Sequence, residues 1–277
     1  MSSEHHPADP TTAEAPALVS AREITVGYGG EPVIPALSLD VAPGDFMVVV
    51  GPNGCGKSTL LKTLARVNRP SSGRVDLDGE DLHRMRGRPV AQRISLLPQT
   101  ATAPEGITVA ELVARGRHPH HTLLRQWSAE DERSVAAALE RTHLTDEADT
   151  QVSSLSGGQR QRAWVAMVLA QDTEVILLDE PTTFLDIAHQ YELLELFAEL
   201  NAEGRTIVAV LHDLNQAARF ASRLVVMHEG RVHGDGAPAT VLTGQLVHEV
   251  FGLAADVVDD PRSGTPMVVP HVRPALR

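Results

Sequence analysis

The sequence predicts an α/β fold built on parallel strands. Two observations lead there. Short apolar runs with little or no alternation recur at residues 46–50, 94–97, 175–178 and 206–211, as strands buried on both faces require. Each run ends in a glycine or a polar group: Gly51, Gln99, Asp179-Glu180 and His212. In an open α/β sheet that edge is where ligands bind, and four such elements on one edge are hard to explain as core residues.

Residues 51–59, GPNGCGKST, fit the pattern G-x-x-x-x-G-K-[ST] between an apolar run and a helical stretch. Strand, glycine loop and helix together form the context this motif needs. The glycines let the backbone turn tightly and aim N–H groups inward, and the helix adds its positive end, which makes a nest for phosphate oxygens. The loop spans Gly51, Pro52, Asn53, Gly54, Cys55, Gly56, Lys57, Ser58 and Thr59. Lys57 is expected at the β- and γ-phosphates of a nucleotide, and the Ser58 hydroxyl on Mg²⁺. The bland alternative, a glycine turn without a ligand, does not suit the flanking context.

Composition narrows the class. The chain has 277 residues, 42% of them hydrophobic, enough for one large domain or two small ones. A net charge of −12 argues against a nucleic-acid binder. Cys55 is the single cysteine, so no internal disulfide forms, and a reducing compartment fits. It reads as a small packing residue. No run approaches membrane-helix length and no signal segment opens the chain. The expectation is a protein soluble by itself, with any membrane role supplied by a partner.

Along the chain, residues 1–18 read as a disordered tail, with His5 and His6 solvated rather than metal-bound. Residues 21–26 read as a strand that enters a glycine turn around Tyr28. That ring can lie against an adenine, but by itself it reads as a surface tyrosine. Leu37, Leu39 and Val41 alternate with Ser38, Asp40 and Ala42 as a half-buried strand. Residues 74–77 form another, closed by Asp78-Gly79. Residues 100–170 look helical: Val109–Ala114, Ala129–Arg141, and a helix from about Gly158. Arg115, Arg117, His118, His120 and His121 lack metal-ligand spacing and read as a solvated or partner-facing loop.

Leu155-Ser156-Gly157-Gly158-Gln159 opens the last of these helices, and Ala163, Ala166, Met167 and Ala170 give it a small buried face. Its first turn holds no acidic residue, so it is a second anion-type helix start. Residues 191–200 form an amphipathic helix. Residues 224–227 and 231–233 flank Glu229-Gly230 as a hairpin. Residues 238–251 contain a short helix, and a tail closes the chain. No internal repeat is visible.

Together these residues resemble the ATP-binding subunit of ABC transporters. The phosphate loop and residues 175–180 give the two Walker motifs, and LSGGQ at 155–159 matches the family's signature in every position. Gln99 falls at the Q-loop, Asp186 at the D-loop, His212 at the switch histidine and Tyr28 at the adenine-stacking aromatic. The resemblance covers about residues 20–277. It implies an ABC-type P-loop NTPase: a RecA-like mixed-sheet core with an N-terminal antiparallel β subdomain (19–99 and 171–250), a helical subdomain carrying the signature (100–170), and a C-terminal tail (251–277).

The resemblance also implies roles. ATP and Mg²⁺ bind at the phosphate loop, with Ser58, Gln99 and Asp179 toward the metal and Lys57 on the phosphates. Glu180 is the general base, and His212 fixes the γ-phosphate. Ser156, Gly157, Gly158, Gln159 and Asp186 serve the nucleotide of a second copy, so the working unit is a homodimer.

Residues 109–120, VAELVARGRHPH, and 259–270, DDPRSGTPMVVP, are similar to ATPase subunits of ferric-siderophore importers. That implies an integral membrane permease held by the loop after Gln99, an extracytoplasmic siderophore-binding protein acting indirectly, and a place on the cytoplasmic face of the cell membrane. Importers of vitamin B12 or haem, and a soluble ABC ATPase of iron–sulfur cluster assembly, are the alternatives.

Overall fold

The computed structural model describes residues 17–122 and 127–271. Strands β1 (Val19–Val26) and β2 (Ile34–Val41) open the chain. β3 (Phe46–Val50) passes through the glycine loop into helix α1 (Lys57–Leu64). β4 (Ser72–Leu77), β5 (Glu80–Asp81), α2 (Gly87–Ala91) and β6 (Ile94–Leu97) follow. The helical region holds α3 (Val109–Ala114), a 3₁₀ helix (Arg115–His120), α4 (Ala129–Arg141) and α5 (Gly157–Ala170). Next come β7 (Val175–Asp179), α6 (Ile187–Ala202), β8 (Thr206–Val210), α7 (Leu214–Phe220), β9 (Arg223–His228) and β10 (Arg231–Gly236). The chain ends in α8 (Pro238–Val241), α9 (Gly244–Phe251), β11 (Ala255–Asp259) and β12 (Pro266–Pro270).

Among the described residues, the central sheet has the order β10-β9-β3-β8-β7-β6. β9, β3, β8, β7 and β6 are parallel, and β10 adds an antiparallel edge. A second, antiparallel sheet has the order β2-β1-β4-β5. Successive strand side chains point to opposite faces, and the core divides accordingly. Met47, Val49, Val175, Leu177, Val208 and Val210 face α1 and the antiparallel sheet. Phe46, Val48, Val50, Ile176, Leu178, Ile207 and Ala209 face α6, α7 and α9. Burial on both faces is why these strands read as unbroken apolar runs.

The helical region has its own small core, including Val109, Leu112, Leu139, Val152, Ala163 and Ala166. Trp164 and Met167 of α5 touch both this core and that of the sheet, so α5 is the bracket between them. Its neighbour approaches closely: a Cβ on Gly116 would sit 2.2 Å from the Met167 carbonyl oxygen.

Several expectations change here. Residues 115–120 form a 3₁₀ helix rather than a loop; Arg115 and His118 are exposed as expected, but Arg117 is not. Arg117 is 1% exposed. Its Nε donates to Asp131 Oδ1 at 2.8 Å and its Nη1 to the Ala170 carbonyl at 2.9 Å, which ties the start of α4 to the end of α5. A guanidinium that stays charged is buried only with such partners. Leu18 is buried and its N–H donates to the Val41 carbonyl, so the last residue of the expected tail belongs to the fold. Residues 1–16, with His5 and His6, lie outside the described residues. The C-terminal segment is a hairpin, its Val268 N–H bonded to Asn215 Oδ1 at 2.7 Å.

Candidate nucleotide site

β3, β8, β7 and β6 are adjacent and parallel, so their C-terminal ends lie along one edge. The glycine loop, His212, Asp179-Glu180 and Gln99 leave that edge in the same order. A cleft of about 520 Å³ opens there, with Lys57, Ser58, Thr59, Gln99, Glu180 and His212 in its wall.

The loop's shape explains its glycines. Gly51 has φ 154° and Gly56 has φ 105°. A Cβ on Gly51 would fall 2.1 Å from the Met227 carbonyl oxygen, inside any tolerable contact. Lys57 is 5% exposed, and its ammonium donates to the carbonyls of Gly51 and Pro52 at 2.8 and 3.0 Å. The charge is thus held across the loop mouth. No acidic residue and no side-chain cap occupies the start of α1, so its N–H groups remain aimed at an incoming anion. Cys55 is buried beneath the loop, and burial pushes its thiol up. It packs and stays protonated.

Asp179 is fully buried at the end of β7. Its Oδ1 accepts the Ser58 hydroxyl at 2.7 Å, whereas Oδ2 is buried without a partner. Burial pushes this carboxyl up, against the Ser58 hydrogen bond and the Lys62 charge. An orphaned carboxylate oxygen beside a hydroxyl suits a hard cation that takes its remaining ligands from phosphate and water. The all-oxygen donors Ser58, Asp179 and the Gln99 amide fit that demand.

Glu180 has φ 55°, a left-handed conformation that turns its side chain away from that of Asp179. Its Oε1 meets His212 Nε2 at 2.7 Å, and its Oε2 accepts the Thr183 hydroxyl at 3.4 Å. The adjacent carboxylates therefore serve different partners. Tyr28 is 67% exposed, with its hydroxyl 3.4 Å from Thr59 Oγ1 and accepting from Asn68 Nδ2 at 2.9 Å. The ring is fixed beside the first turn of α1.

Residues 155–159 do not line this cleft. Ser156 caps α5: its hydroxyl accepts from the Gln159 N–H, and Gln159 Oε1 accepts from the Ser156 N–H. Ser156 and Gly157 are exposed. Gln161 Nε2 donates to the Pro181 carbonyl at 2.9 Å, which seats α5 on the loop after Glu180. Asp186 caps α6 and meets His189 Nδ1 at 2.6 Å, also outside the cleft.

The sequence profile described as ABC transporter matches residues 34–183, more than half of the chain. The chain belongs to the ABC transporter family. As an ABC ATPase it is an ATP-binding, ATP-hydrolysing transporter subunit. It is 52% identical over 263 residues to the ferric enterobactin transport ATP-binding protein FepC of Escherichia coli (strain K12), covering 95% of this chain and 97% of FepC. Its fold is similar to that of a metal-chelate type ABC transporter in an inward-facing conformation, with TM-score 0.80, 28% identity, and coverage of 94% of this chain and 100% of the other. A dimeric ABC cassette in a post-hydrolysis state bound to ADP and Pi aligns at TM-score 0.69 and 28% identity, over 79% and 98% of the two chains.

Two contributors to the ABC site were not evident in the sequence. Val33 lines the cleft and Thr183 steadies Glu180. Val33 precedes a strand with no motif around it, whereas Thr183 sits between Asp179-Glu180 and Asp186, a position that is the one local signal for it.

Proposed function

We propose that this chain powers import of a ferric siderophore. The carrying observation is its 52% identity to FepC over nearly the whole of both chains. Two copies work beneath two membrane permease subunits on the cytoplasmic face, and an extracytoplasmic binding protein delivers the cargo to the permease.

In this reading Tyr28 stacks on the adenine, and the loop N–H groups with Lys57 hold the phosphates. Ser58, Asp179 and Gln99 hold Mg²⁺, which neutralises charge on the transferred phosphoryl group. Glu180 takes the proton of the attacking water as general base. His212 orients Glu180 and faces the γ-phosphate. Ser156, Gly157, Gly158 and Gln159 of each copy cap the nucleotide of the other, with Asp186 beside them. Their separation from the cleft of their own chain supports that division.

The permease segment docks in a groove of about 540 Å³ between residues 104–107 and the wall formed by Ala114, Arg115, His118, His121 and Trp127. Ile107 lines the groove but is only 7% exposed and belongs to the helical core, so it anchors the loop beneath the contact surface.

The test is uptake by proteoliposomes holding this chain, its co-purifying permease and the binding protein. Ferric enterobactin, a ferric hydroxamate, vitamin B12 and haem are offered as cargo. ATP-dependent uptake of a ferric siderophore is expected. Uptake of haem or vitamin B12 alone overturns the cargo. An active ATPase that never associates with a permease overturns the importer reading in favour of a soluble role such as iron–sulfur cluster assembly.

A further inference from the structure

Charge is unevenly placed on this chain. It carries 36 Asp and Glu against 24 Lys and Arg. Yet residues 62–70, 83–93 and 115–121 hold nine of those Lys and Arg and no Asp or Glu. The fold joins the three stretches. Arg66, just past α1, donates through Nη2 to the Met85 carbonyl at 2.9 Å. Arg88 Nε and Gln92 Nε2 both donate to the Pro119 carbonyl, at 2.8 and 2.9 Å.

Some of these charges are already used. Arg117 is buried on Asp131, and Arg93 pairs with Asp78 and Glu174. Arg84 lies 3.3 Å from Asp81 but its side chain is 89% exposed. Among the described residues, Arg66, Arg69, Arg86, Arg88 and Arg115 form no ion pair. Arg69, Arg86, Arg88 and Arg115 are exposed. Arg66 Nε and His83 Nε2 are both shielded from solvent and without a hydrogen-bond partner. Burial first, then the charges of Arg66 and Arg69, lower the pKa of His83, so the arginine field converges there. The result is a cationic face on an anionic protein.

That face borders the groove given above to the permease. Arg115 and His118 line the groove, and the Pro119 carbonyl beside them anchors Arg88 and Gln92. A subunit held through this groove turns the neighbouring surface toward the bilayer. We propose that the face formed by Arg66, Arg69, Arg84, Arg86 and Arg88 binds anionic phospholipid headgroups beside the permease. The proposal rests on the importer reading. It gives the otherwise acidic subunit an oriented approach to an anionic membrane, which would repel the rest of its surface. Each arginine near such a surface strengthens partitioning about fivefold, and salt screens the effect. Nucleic acid, the other polyanion, is disfavoured by the net charge of −12.

The full-length chain is sedimented with vesicles of phosphatidylglycerol and phosphatidylcholine, and with phosphatidylcholine alone, at low and high salt. Binding to the anionic vesicles alone, released by salt, is expected. The triple variant Arg84→Glu, Arg86→Glu, Arg88→Glu should lose about 100-fold or more in partitioning, with ATPase activity unchanged, because none of the three lines the nucleotide cleft. A control with the same charge change at exposed positions elsewhere, Arg133→Glu, Arg231→Glu, Arg262→Glu, should lose far less. If the triple variant misfolds, Arg86→Gln alone should still cost about fivefold. Equal binding to both vesicle types, no binding at low salt, or an equal loss in the control overturns the proposal. So does wild-type binding to a DNA duplex or RNA hairpin that exceeds binding to anionic vesicles. Co-purification with the permease is scored separately. Its failure removes the importer reading, whereas vesicle failure with assembly intact removes only the lipid contact.

Discussion

His212 Nε2 lies 2.7 Å from Glu180 Oε1, so a side chain leaving β8 holds the carboxylate that leaves β7. The strands are neighbours, and the contact spans the mouth of the cleft. It places the imidazole where it would orient the proposed base, Glu180. His212→Ala should therefore lower ATP turnover by roughly 10²-fold, the scale for losing one preorganised polar contact at a reacting centre. ATP affinity should change little, because Lys57 and the loop are untouched. Turnover and equilibrium binding measured on the same preparation check this. A comparable loss in both would place His212 in ground-state binding instead.

Lys57→Ala removes the ammonium held at the Gly51 and Pro52 carbonyls. Hydrogen bonds to charged groups contribute about 1.5–3 kcal/mol, so ATP affinity should fall roughly 10- to 100-fold, with hydrolysis lost alongside. Fluorescent-nucleotide titration measures the affinity. An unchanged value would take the lysine out of phosphate binding.

Ser156 stands outside the cleft of its own chain, capping α5. Ser156→Arg should leave ATP binding to the monomer within about twofold and abolish hydrolysis. The bulky cation would block the neighbouring copy's nucleotide and remove the cap, which itself contributes about 1 kcal/mol. Circular dichroism separates loss of folding from loss of dimer catalysis. Equal loss of binding and turnover in a folded variant would mean that the signature contacts its own nucleotide.

How much was legible follows from physical period and range. β3, β6, β7 and β8 are visible in the sequence because burial on both faces keeps them almost wholly apolar, with Ser95 the one polar residue inside a run and Thr206 and Asp179 at strand ends. The edge elements Gly51, Gln99, Asp179-Glu180 and His212 are visible because polar groups end those runs. Arg117 misleads because its local sequence, Arg-Gly-Arg-His-Pro-His, is polar throughout. Its burial is decided by Asp131 and by the Ala170 carbonyl, 53 residues away. Short α2 and α7 span too few turns for a helical period to show. The cap pairs Thr108 with Glu111 and Ser128 with Asp131 are a readable local signal, and they mark helix starts that apolar spacing alone leaves approximate. The β11–β12 hairpin hides because its turn, 260–265, is held by Asp260 accepting from the N–H groups of Arg262 and Ser263, with little apolar patterning around it.

The Arg117–Asp131 pair is a stability device for the helical region. Burial raises the Asp131 pKa, but the Arg117 and Ser128 hydrogen bonds outweigh it and hold the carboxyl at about 2, below its usual 3.8. A depressed carboxylate stabilises the fold above its unfolded pKa and loses that contribution as pH falls. The loss should run from about pH 4 down to about pH 2. Arg117→Met leaves the buried Asp131 carboxylate without its guanidinium, with the Ser128 hydrogen bonds and His121 at 3.7 Å still beside it, and should destabilise by about 3–5 kcal/mol. Arg117→Met with Asp131→Leu should recover much of that. Denaturant midpoints across the acid range check both points, and an unchanged midpoint in Arg117→Met would make the pair incidental.

Glu180 is the proposed general base. It follows Asp179 directly, and two adjacent carboxylates repel unless each has its own partner. Asp179 turns inward to Ser58, and the left-handed backbone at Glu180 sends its carboxylate to His212 and Thr183. Glu180→Gln keeps the shape and hydrogen-bonding reach of the side chain but removes its basicity. A general base contributes about 10²–10⁴-fold, so hydrolysis should fall by about that factor. Binding should survive, because Lys57, Ser58 and Asp179 remain. ATP then persists between two copies, and the variant should elute as a dimer with ATP and Mg²⁺ where the wild type passes through that state briefly. Size-exclusion chromatography with and without nucleotide reads this directly. A variant that stays monomeric while saturated with ATP would count against the shared site. One that hydrolyses at the wild-type rate would remove Glu180 from the role of base and leave the water to be activated by another group at the sheet edge.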